Sequence, residues 1–211
     1  MAYGGNAVLY LKFNHLKFFY ELLKQQPYIC EIKDKTTIES PFINLDKYRP
    51  VSRIKKSQHL VLSHLESQQQ ENSNWINNPW LFFIEPKYVA DIIINRTKRY
   101  HDKQEIDWNL LKPYENKCKF IGYEKEWKQF VQEYNLDIPF FPIANGLELA
   151  QIIKGSKLFI GNQSCSFSLA EAMKHPRCLE VYYELNNCQP HGPNGYTYLT
   201  DELILEKINA S

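Results

Sequence analysis

The chain of 211 residues has almost no net charge, +1 at pH 7. No excess of either sign argues for nucleic acid or a membrane surface as a partner. It lacks any apolar run near the roughly 20 residues needed to cross a bilayer. Its start, Met1 to Asn6, lacks the basic and apolar regions of a secretory signal. Cysteine is sparse and unpaired in pattern: Cys30, Cys118, Cys165, Cys178 and Cys188 are five in number, without a C-x-x-C pair. That excludes a disulfide framework and a zinc site. A paired-acid metal motif of the D-x-D kind is missing, and so is any internal repeat. Together these absences predict a reducing, cytoplasmic setting. The sequons at Asn95, Asn162 and Asn209 are then expected to be unglycosylated.

What is present is an ordinary globular composition, 44% hydrophobic, with length for one large domain or two small ones. From Asp91 onward short apolar runs alternate with helical patterns. Asp91–Ile94, Lys117–Ile121, Pro139–Ile143, Lys157–Ile160 and Cys178–Tyr182 read as strands. Glu124–Tyr134, Leu147–Ile153 and Ser166–Met173 read as the helices between them, and Asp201–Ile208 as a closing helix. Such alternation predicts an α/β fold with a doubly wound parallel sheet covered on both faces, Rossmann-like in kind.

The front is less regular. Ala7–Leu11 and Tyr28–Ile32 read as strands around a helix whose face carries Leu16, Phe19, Leu22 and Leu23 and which Pro27 stops. Thr36–Lys56, with Pro41 and Pro50 as breakers, reads as loop, as does Asn187–Tyr198. Leu60, Leu62 and Leu65 suggest a further helix, fading into the polar run Ser67–Asn74. The expected organisation is a small α/β lobe over residues 1–85 and a Rossmann-like domain over 86–211.

Ligands of open α/β sheets bind outside the carboxyl ends of the strands. After the first strand of the larger domain comes Asn95-Arg96-Thr97-Lys98-Arg99, whose cations suit phosphate oxygens or simply face water. After the fourth come Gly161, Asn162, Gln163, Ser164 and Cys165. There Ser164 can cap the following helix, and that helix start can hold a phosphate. After the second strand, Glu126 either accepts from a ribose or stabilises the helix dipole.

These residues resemble the carboxyl-terminal half of GT-B-fold glycosyltransferases, nearest the ADP-heptose (heptosyltransferase) family. The resemblance lies in the order of a basic loop with Trp108 downstream, then F-I-G-x-x-x-E from Phe120 to Glu126, then E-L-A-Q-I-I-K-G-S-K-L-F-I-G-N-Q-S from Glu148 to Ser164, then L-A-E-A-M-K-H-P from Leu169 to Pro176. It covers about half the chain and implies a GT-B-like fold with a shortened amino-terminal lobe. It also implies metal-independent, inverting transfer of a sugar from a nucleotide-diphosphate donor to an acceptor hydroxyl, with no further cofactor. By position it implies diphosphate contacts from Thr97 and Lys98 or Arg99, and ribose or base contacts from Glu126. Further phosphate contacts fall on Gln163, Ser164 and Cys165. The family carries G-x-D-S/T-G-x-x-H-x-A at the last site; here Gln163 replaces its acid, Cys165 a glycine and Ser168 its histidine. The family's first strand and its acidic catalytic base have no counterpart, which makes a non-catalytic nucleotide-sugar binding protein the alternative. His15, Asp102 and His191 qualify as bases only in being able to ionise.

Overall fold

Apolar residues at helical spacing between two strand-like runs produce a βαβ unit at the front: β1 (Ala7–Leu11), α1 (Phe13–Lys24) and β2 (Ile29–Asp34). The strands pair in parallel, which requires the crossover that α1 supplies. The structure is a computed structural model that describes residues 7–34, 43–55, 58–71, 73–100 and 106–210, without the side chains of 13–16. Asp102 and the side chain of His15 therefore lie outside the described residues.

Residues 45–54 depart from the expected loop. Leu45–Lys47 forms a 3-10 turn and Tyr48–Ile54 a helix, α2. Pro50 sits in the first turn of α2, where a missing N–H breaks no helical bond. The next helix is α3 (Leu60–Ser67), followed by a 3-10 turn at Asn74–Ile76.

The second unit begins at β3 (Ile92–Asn95), whose side chains are all buried. A strand covered on both faces reads as an unbroken apolar run, and Ile92-Ile93-Ile94 is one. There follow β4 (Cys118–Ile121), α4 (Glu124–Tyr134), β5 (Phe140–Phe141), α5 (Gly146–Gly155), β6 (Leu158–Asn162), α6 (Cys165–Ala172), β7 (Arg177–Glu180), β8 (Gly195–Tyr196) and α7 (Asp201–Asn209). β5 is shorter than the sequence suggests, β6 runs on through Gly161 and Asn162, and β8 falls in the expected loop 187–198. Trp108–Lys117, just before β4, is a 3-10 helix containing Pro113.

All six strands from β3 to β8 are parallel, in the order β5-β4-β3-β6-β7-β8. Counted from β3 this is 3-2-1-4-5-6, the order of dinucleotide-binding sheets, with its reversal between β3 and β6. The fold is α/β and Rossmann-like. Period-two alternation divides the core. Ile93, Ile121, Phe159 and Leu179 join the cluster that takes in residues of α5 and α6, while Ile92, Ile94, Phe120, Leu158 and Ile160 join the one that takes in residues of α4 and α7.

The front unit is anchored on this core. Leu22, with Phe18 and Phe19 of α1, belongs to the same apolar cluster as α5. Gln26 is buried because its amide is fully used: Nε2 donates to the carbonyls of Leu22 and Phe82, each at 3.1 Å, and Oε1 accepts from the Phe82 N–H at 2.8 Å. Among the described residues no helix is long and apolar enough to cross a membrane.

Candidate functional site

β3 and β6 end side by side, with Asn95 paired to Gly161, and their loops leave the carboxyl edge where the strand order reverses. Divergence of the loops at such a point opens a crevice. The residues singled out in the sequence after β3, β4 and β6 gather at this edge.

Two glycines let the strand ends close. Gly122, after β4, has φ +117°, and a Cβ there would stand 2.5 Å from Asn95 Nδ2. Its absence lets Asn95 Nδ2 donate to the Ile121 carbonyl at 2.9 Å. Gly161 lies within β6, and a Cβ on it would meet the Asn95 carbonyl oxygen at 2.6 Å. Asn95 Oδ1 accepts from Ser164 Oγ at 3.0 Å, joining the end of β3 to the start of α6.

Asn162, fully buried, fixes the basic loop. Its Oδ1 accepts from the Thr97 N–H at 2.9 Å, and its Nδ2 donates to the carbonyls of Thr97, Arg99 and Tyr100. Thr97 Oγ1 turns back on the Arg99 carbonyl at 3.2 Å. Tyr100 is held at φ +55°, an unusual backbone for a side-chain-bearing residue. The loop is thus pre-shaped, with Lys98 and Arg99 exposed at its tip.

Arg96 is placed differently from its neighbours. Its guanidinium is buried and donates to Glu180 at the end of β7 through Nε (2.8 Å) and Nη2 (3.1 Å), and to Glu133 of α4 at 3.3 Å. It also lies over the rings of Tyr134 and Trp108. Burial alone would lower the Arg96 pKa, but the hydrogen bonds and charge of Glu180 outweigh it and the net shift is upward. Tyr134 is pushed up to about 12, chiefly by burial. Gln163 is also committed within the protein, donating to the Leu185 carbonyl at 2.6 Å.

The remaining groups are half-buried or exposed. Glu126 Oε1 accepts from the Lys98 N–H at 3.3 Å, while Oε2 is buried without a hydrogen-bond partner. A small pocket beside it is lined by Arg96, Thr97, Lys98, Glu126, Gln129 and Phe130. Gln129 was not singled out in the sequence, although it stands three residues from Glu126 and so shares a helix face with it. Ser164 caps α6 by accepting from the Phe167 N–H at 3.3 Å. The next residue, Cys165, is the exposed first residue of that helix. Ser164→Ala is expected to cost about 1 kcal/mol of stability as a lost cap, read from the urea midpoint at unchanged slope.

His191 lies at the opposite edge of the sheet. Its carbonyl accepts from Arg177, the first residue of β7, and from Lys174. Its ring packs on His59 and Trp75. Among the described residues no group of three or more His, Cys, Asp or Glu is arranged to hold a metal. Compared with family models, curated proteins and solved structures, the chain shows no match to any of them.

Proposed function

We propose that the crevice between β3 and β6 binds the diphosphate of a nucleotide sugar, and that the chain is a GT-B-like, metal-independent inverting glycosyltransferase. The observation that carries this reading is the convergence of the pre-shaped Lys98–Arg99 loop and the start of α6 on the edge where the strand order reverses. A helix start presents N–H groups without intrahelical partners and a positive dipole end, which favour an anion. In the transfer, the acceptor oxygen bonds to the anomeric carbon as the bond from that carbon to the phosphate oxygen breaks. The nucleoside diphosphate departs, and the hydroxyl proton passes to a general base or to water. Lys98, Arg99 and α6 stabilise the charge that grows on the leaving group.

A binding module that performs no transfer is the second reading. The commitment of Arg96, Asn162 and Gln163 to protein partners favours it, because fewer groups are left to meet a departing diphosphate.

Thermal unfolding with a panel of nucleoside diphosphates and their sugars tests both. A ligand at 100 times its dissociation constant adds about 2.7 kcal/mol. Stabilisation with sugar release or transfer supports the enzyme, stabilisation alone the binding module, and no shift with any nucleotide sinks both. Lys98→Ala with Arg99→Ala is expected to weaken nucleoside diphosphate binding about 10- to 100-fold. Both side chains are exposed, so stability should stay within about 0.5 kcal/mol of the unaltered chain.

A further inference from the structure

The front sheet has two strands where the large one has six. Among the described residues β1 and β2 pair only with each other, in parallel. Two strands alone are marginal, and parallel sheets are ordinarily covered on both faces. No residue of β1 or β2 is buried. Each strand keeps an outer edge whose N–H and C=O groups no other described strand takes up.

The edges differ in how they are protected. In the large sheet the edge strands β5 and β8 are two residues long, too short to template another strand. β2 is six residues long but carries Glu31, Lys33 and Asp34, and Lys33 pairs with Glu31 at 3.3 Å. Charge on an edge strand discourages further pairing. β1, Ala7-Val8-Leu9-Tyr10-Leu11, has five residues and no charge, proline or glycine.

The free backbone groups of β1 follow from its pairing. The Ala7 N–H donates to the Tyr28 carbonyl at 3.2 Å, so Ala7 turns its backbone toward β2. The direction alternates along a strand, so Leu9 and Leu11 do the same while Val8 and Tyr10 turn their N–H and C=O to the open edge. The slip in register between Ala7 and Val8 puts its extra residue, Cys30, in β2 and leaves this alternation intact. β1 is also complementary to itself. A second β1 related by a two-fold axis at Leu9 lies antiparallel, with Val8 opposite Tyr10, Ala7 opposite Leu11 and Leu9 opposite Leu9. The outward groups of Val8 then exchange hydrogen bonds in both directions with those of the other Tyr10. A β-branched residue against an aromatic one is a favourable cross-strand pair, and no like charges meet.

We propose that two copies of this chain associate through their β1 strands, antiparallel about Leu9, in a continuous sheet of order β2-β1-β1-β2. The two-fold axis uses up both open β1 edges and leaves the charged β2 strands outermost, so association stops at the dimer. The proposal does not depend on the nucleotide reading of the crevice.

Sedimentation velocity from about 1 to 100 µM tests it, the range in which a small interface dissociates. A reversible monomer–dimer equilibrium is expected. Val8→Pro removes an outward N–H that the β1–β2 ladder does not use, and should weaken the dimer about 30-fold with circular dichroism unchanged. Leu9→Lys and Leu9→Glu each bring like charges together at the axis and should be monomers, and mixing the two in equal amounts should restore the dimer. A chain that stays monomeric throughout the range overturns the proposal, and so does one that associates beyond the dimer. A dimer that Val8→Pro leaves as tight as before overturns it too, as do folded Leu9 variants that fail to pair when mixed. If the Leu9 variants do not fold, Val8→Pro decides, and if Val8→Pro does not fold, the Leu9 mixture decides.

Discussion

Arg96→Ala should cost about 3–5 kcal/mol of folding stability, the range for breaking a buried ion pair from one side. The substitution removes both guanidinium bonds to Glu180 and leaves that carboxylate at the end of β7 almost wholly buried, with Trp108 Nε1 at 3.5 Å as its other partner. It also removes the cation from above the Tyr134 ring, 5.3 Å away, and from Glu133. The loss comes from an uncompensated charge, so removing that charge as well should recover much of it. Arg96→Met with Glu180→Leu is expected to be far closer to the unaltered protein than Arg96→Met alone. Urea unfolding of the two single variants and the pair measures the coupling. A change within about 0.5 kcal/mol for Arg96→Ala, the range of ordinary surface substitutions, would mean that the ion pair does not form.

Acid should begin to destabilise the protein well above the range in which carboxylates usually titrate. His175 is buried, with Nε2 3.0 Å from Ser156 Oγ, which itself donates to the Ile153 carbonyl. Ser156 thus accepts from a neutral imidazole, whose pKa is lowered to about 3 by burial and then by Lys154 and Arg177. His59 Nδ1 caps α3 by accepting from the Val61 N–H at 3.1 Å, and the ring stacks on Trp75 at 4.7 Å. Burial and then His191 lower its pKa to about 4, against the opposing pull of Glu171. Protonating Nδ1 would break the cap. Both folded-state values lie below the unfolded value of about 6.5. Between them the unfolded chain binds more protons, so stability is whole above about pH 6.5 and falls as pH drops. Each histidine removes about 1.4 kcal/mol per pH unit, down to about pH 4 for His59 and about pH 3 for His175. Urea midpoints between pH 6.5 and 5 isolate the effect from the carboxylates. A flat profile there would show that these rings are not held neutral, and a variant with His175→Gln should have a shallower slope than the unaltered chain.

The candidate site was legible in the sequence to the extent that it depends on chain-local signals. A three-isoleucine run followed by an amide and cations announces a buried strand and the loop after it. Ser164 two residues after the end of β6 announces a helix cap. Local spacing did not show which cations in that loop are spent inside the protein. Arg96 and Lys98 are two residues apart, yet Arg96 turns in to a carboxylate 84 residues away while Lys98 stays exposed. Asn162 looked like one more polar residue of a turn, and it proved to be the buried amide that shapes the loop 65 residues before it. Pro50 reads as a breaker because proline ends helices from within, but it sits in the first turn of α2, where its missing N–H is harmless.

By itself, then, the sequence determined the alternation of strands and helices from β3 to β7 and the closing helix α7, and with it a parallel sheet, because periodicity and capping act within a few residues; it left β8 as loop. The tertiary structure alone decided the strand order that places the reversal between β3 and β6. It also decided which side chains at that edge are satisfied by the protein and which are left for a ligand. Those outcomes rest on pairings between groups far apart in the chain, chosen by burial and by the cost of leaving a buried charge or amide without a partner.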